Sequence, residues 1–67
     1  MDRVSVIEEL SHQIESLTRL DAPSTHHSMK RFQDRKENIL TFIRNNRINV
    51  RGELTPEILY LYRRYFD

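Results

Sequence analysis

Hydrophobic positions along the first twenty residues recur in a helical rhythm. Ile7, Leu10, Ile14 and Leu17 are spaced 3-4-3, which places them on one face of a helix over about residues 3–20. Val4, Val6 and Leu20 widen that face. Asp2 is a candidate N-cap, and Ser5 with Glu8 offers an alternative start as a capping box. Asp21-Ala22-Pro23 ends the helix, because the residue before proline is pushed out of the α region.

Pro23-Ser24-Thr25-His26-His27-Ser28 is a polar joint. A second stripe follows over about residues 26–46, formed by Met29, Phe32, Ile39 and Ile43 with Leu40 beside it. Lys36 stands where this stripe calls for another apolar residue, and its aliphatic stem can cover apolar surface while the ammonium stays wet. Asn45-Asn46 suits the helix end, since asparagine tolerates left-handed backbone angles.

The pattern then changes period. Ile48 and Val50 alternate with polar neighbours, which predicts a short extended connector over residues 47–53, turned by Gly52. The third helix, over about residues 56–66, has the clearest start in the chain. Thr55 fits the N-cap, Pro56 the first helical position, and Glu57 places negative charge at the positive helix end. Leu54 and Leu59 fit a hydrophobic staple across that cap. At about 100° per residue, Ile58, Leu59, Leu61, Tyr62, Tyr65 and Phe66 share an arc of roughly 160°. Tyr60, Arg63 and Arg64 lie on the other side.

These elements predict an all-α fold, a small three-helix bundle occupying residues 1–67 as a single domain. One glycine and two prolines argue against an all-β alternative, which needs many turns. A chain of 67 residues buries only about 60% of its unfolded surface and is marginal alone. It has no cysteine, so disulfides cannot reinforce it. Stability must come from helix packing or from a partner, either another protein or a second copy.

Net charge is only +1, but it is sorted along the chain. Residues 1–21 sum to −3, residues 22–51 to +5 and residues 52–67 to −1. One consequence is attraction between an acidic first helix and a basic second helix inside the bundle. Another is that Lys30, Arg31, Arg35, Lys36, Arg44, Arg47 and Arg51 form a contact surface for nucleic acid or for an acidic protein. The connector of about nine residues is longer than the three or four of a tight helix-turn-helix.

No catalytic chemistry is legible. One glycine cannot build a phosphate-binding loop, there is no cysteine nucleophile, and no histidine stands in a triad context. The three histidines lack cysteine neighbours, and adjacent His26 and His27 diverge by about 100° on a helix. The sequence therefore predicts a non-enzyme with no cofactor, no metal and no small-molecule substrate. No apolar run approaches the ~20 residues of a membrane span. The Met1-Asp2-Arg3 start lacks a signal-peptide pattern, which gives a complete small gene product in the cytoplasm as the expectation.

The expected function is binding. A small regulatory or adaptor protein that meets another protein, including as a homodimer, is the first reading. Tyr60, Arg63, Arg64, Tyr65 and Phe66 are its candidate contacts, because aromatics and arginine dominate interface hot spots. The bland counterpart is that Tyr62, Tyr65 and Phe66 are core. A transcription-regulator-like nucleic-acid binder using the basic second helix and connector is the alternative.

Overall fold

The computed structural model describes residues 2–20 and 26–67, with side chains placed from Met29 onward in the second stretch. The expected stop at Asp21-Ala22-Pro23, the polar joint and the side chains of His26 and His27 lie outside the described residues. The chain is all-α: α1 spans Arg3–Arg19, α2 His26–Asn45, α3 Val50–Glu53 and α4 Pro56–Phe66. The three long helices are those expected from the hydrophobic rhythm.

Asp2, not the Ser5–Glu8 pair, starts α1. Its backbone is extended and its Oδ1 accepts from the Val4 N–H at 3.3 Å. The buried stripe is Val6, Leu10, Ile14 and Leu17, with Ile7 half-buried beside it and Val4 exposed. This shifts the centre of the face from Ile7 toward Val6. The reason is that α1 packs against both α2 and α4, so its buried arc points between two neighbours. Ile39, Ile48, Leu54 and Ile58 complete the core from the other elements.

Helix α2 closes with a Schellman motif. The Ile48 N–H donates to the Ile43 carbonyl at 3.1 Å and the Arg47 N–H to the Arg44 carbonyl at 3.2 Å. Ile48 and Ile43, the apolar pair that accompanies such a motif, both pack in the core cluster. The left-handed residue is Arg47, at φ 50°, and neither Asn45 nor Asn46 takes that conformation. Asn46 serves instead through its side chain, whose Nδ2 donates to the Phe42 carbonyl at 2.9 Å.

The expected extended connector over residues 47–53 is corrected. Asn49 is extended as the cap, and residues 50–53 form one turn of helix. Two alternating aliphatics have no strand to pair with among the described residues. The turn is held by the Asn49 carbonyl, which accepts from the N–H groups of Gly52 at 3.0 Å and Glu53 at 2.8 Å. Ile48 is buried and Val50 half-buried, so both still serve the core. Gly52 has no positive φ, so no turn angle requires it; a Cβ there would lie 2.7 Å from Asn49 Nδ2, the end of an exposed side chain that would have to move aside.

Helix α4 begins as expected. Thr55 Oγ1 accepts from the Ile58 N–H at 3.4 Å, with Pro56 in the first turn. Leu54 is buried and Leu59 packs against the same core, as a staple requires.

Candidate functional site

Helices α2 and α4 meet through rings. Phe32 and Tyr65 pack edge-to-face with centroids 5.7 Å apart, and Tyr62 stacks on Phe66 at 4.7 Å. The Lys36 ammonium lies 5.7 Å from the Phe32 centroid and 5.3 Å from that of Phe66. The residue that breaks the apolar stripe of α2 thus becomes a cation over two rings on different helices. With 20 residues against 11, α2 outruns α4, which leaves Met29 56% exposed beyond the seam.

This arrangement divides the aromatic-arginine candidates. Tyr65 and Phe66 are half-buried and belong to the seam. Tyr60, 63% exposed, stands on the outer face of α4 with exposed Arg63 and Arg64. Arg63 Nε lies 3.9 Å from Asp67 Oδ2, a loose surface pair one turn apart. The Arg64 guanidinium lies 5.8 Å from the Tyr65 centroid, which ties the outer face to the seam.

The basic candidates do not form one stripe. At about 100° per residue, Arg31 and Arg35 fall on one flank of α2, while Lys36 turns roughly 100° further round to the α4 side. Lys30 and Arg44 lie outward but 14 positions apart, roughly 21 Å along the axis. Arg44, Arg47 and Arg51 gather where α2 ends and α3 begins, and all three are exposed. Among the described residues, none of them forms an ion pair. Exposed Glu8, Glu9 and Glu15 of α1 form none either, so no ion pair there joins the acidic first helix to the basic second.

Arg3 carries no mark in the hydrophobic pattern, yet it anchors the most connected polar cluster among the described residues. Its guanidinium grips Glu53 with two hydrogen bonds, from Nε at 2.8 Å and from one terminal nitrogen at 2.7 Å. It also donates to the Asn46 carbonyl at 2.7 Å and the Arg47 carbonyl at 2.9 Å. Glu53 accepts in addition from the Asn49 N–H at 2.7 Å. One side chain thus joins the start of α1 to the end of α2 and to α3, and it satisfies carbonyls that a helix end leaves without partners. The hydrogen bonds from Arg3 and Asn49 hold the Glu53 carboxyl down from 4.5 to about 2, and Glu53 in turn raises Arg3. A signal was present in the sequence: a cation in the first turn of a helix opposes the macrodipole and calls for an acceptor elsewhere.

Among the described residues, no group of three or more His, Asp or Glu side chains is placed to hold a metal ion. No helix among them is long and apolar enough to cross a membrane. Comparison of the chain with protein-family models, with curated proteins and with solved structures finds no match.

Proposed function

We propose that this chain is a non-enzymatic regulatory or adaptor protein that works by binding another protein through the outer face of α4. The observation that carries the reading is Tyr60. It is a large ring, 63% exposed, on a helix whose opposite face is committed to the bundle. Arg63 and Arg64 stand beside it, and such a tyrosine-arginine group supplies contact area and charge-assisted hydrogen bonds. Tagged protein captures the partner from the native host, and the purified pair then gives the affinity. Replacing Tyr60, Arg63 and Arg64 together by alanine is expected to abolish that affinity with the bundle's melting curve retained. Undiminished affinity refutes the assignment to α4.

Nucleic-acid binding is a second reading, favoured by the exposed Arg44, Arg47 and Arg51 without ion pairs. It predicts duplex binding that weakens steeply with salt. A titration that shows no binding at low salt ends it.

A further inference from the structure

We infer that the basic end of the bundle, Arg44, Arg47 and Arg51, docks on the acidic face of α1 in a second copy of this chain. The inference goes beyond the α4 reading, because it uses a different surface and a different partner.

The first ground is Arg47. It holds the left-handed position that closes α2, where glycine or asparagine fits at less cost. Among the described residues its backbone alone is engaged: its N–H closes the Schellman motif and its carbonyl accepts from Arg3. Its side chain is exposed and forms no ion pair among the described residues. A side chain kept at a strained position without internal use points to an external contact. Arg44, one turn before, and Arg51, in α3, flank it with the same charge.

The second ground is a complementary surface on the same chain. Val4, Glu8 and Glu15 fall within roughly 40° of one another around α1, and exposed Arg19 lies on the same side one turn beyond Glu15, so the acidic character belongs to the first three turns of the helix. All three are exposed, Val4 at 62%, and neither carboxylate has an ion-pair partner among the described residues. The sorted charges of the sequence are therefore not spent within the bundle. Each copy presents both halves of a contact, which a two-fold axis satisfies twice. A net charge of +1 adds little long-range repulsion between copies.

Sedimentation of the full chain tests the contact. The expected result is a dimer at about 0.01 M salt that dissociates at about 1 M, where charges act over only ~3 Å. A double change Arg44→Glu with Arg47→Glu, or Glu8→Lys with Glu15→Lys, is expected to give monomers separately and a heterodimer when mixed. Arg47→Gly relieves the strain, so it keeps the fold and melts higher while dimerising less. A monomer at every salt concentration overturns the inference, as does a dimer that none of these changes weakens. If the chain is monomeric but the α4 face still takes its partner, the inference fails and the protein-binding reading stands.

Discussion

Arg47 and Arg3 occupy the same corner of the molecule for opposite reasons. A left-handed conformation costs an ordinary residue about 1–2 kcal/mol, while glycine brings an entropic cost of about 0.5–1 kcal/mol. The difference predicts that Arg47→Gly stabilises the chain by about 0.5–1 kcal/mol, read as a melting temperature about 2–8 °C higher. An unchanged or lower melting temperature would show that the arginine side chain supports the fold. Arg3 is the reverse case, a side chain wholly engaged in the fold. Its grip on Glu53 sets a pH signature. Glu53 is lowered in the folded state from 4.5 to about 2, so its contribution is fully present above about pH 4.5 and is lost as pH falls through about 2. Urea midpoints measured across that window should fall less in Glu53→Gln than in the parent protein. Parallel pH profiles would show that the clamp contributes nothing. Neither residue's role was legible from periodicity: the partners of Arg3 lie 43 to 50 positions away in the chain.

At the scale of elements, legibility followed local chemistry. The start of α4 was readable because threonine, proline and a flanking leucine pair act within five positions of one another. Thr55→Ala is expected to cost about 1 kcal/mol, measured by denaturant unfolding, since it orphans the Ile58 N–H. A cost near zero would mean that water replaces the hydroxyl. The stripe on α1 was readable to within one residue, and its phase was not, because the phase depends on where two other helices pack. The 50–53 turn departs from its strand-like pattern for a related reason. Ile48 and Val50 alternate as a strand does, but a strand exists only with a neighbour to pair, and the local bonds to the Asn49 carbonyl decide instead. Lys36 looked like a weak point in its stripe. The seam shows it bridging Phe32 and Phe66, a contact that needed α4 to return antiparallel to α2.

For the whole molecule, the decisive quantity is how little is buried. Eight residues form the core among those described, and four of them, Val6, Leu10, Ile14 and Leu17, belong to α1. A chain of 67 residues has roughly 3–10 kcal/mol of stability to lose. Truncating a fully buried leucine removes about 2–5 kcal/mol, because neighbours collapse only partly into the space. Leu10 is fully buried, so Leu10→Ala is expected to remove a fifth or more of the total and to leave a broad, weakly cooperative melt. Val4→Ala, on the same helix but 62% exposed, should stay within about 0.5 kcal/mol. If both substitutions cost the same, α1 would not be the helix that organises the bundle. The contrast also separates the two faces of α1: one face packs the bundle, and Val4, Glu8 and Glu15 lie on a face the fold itself does not bury.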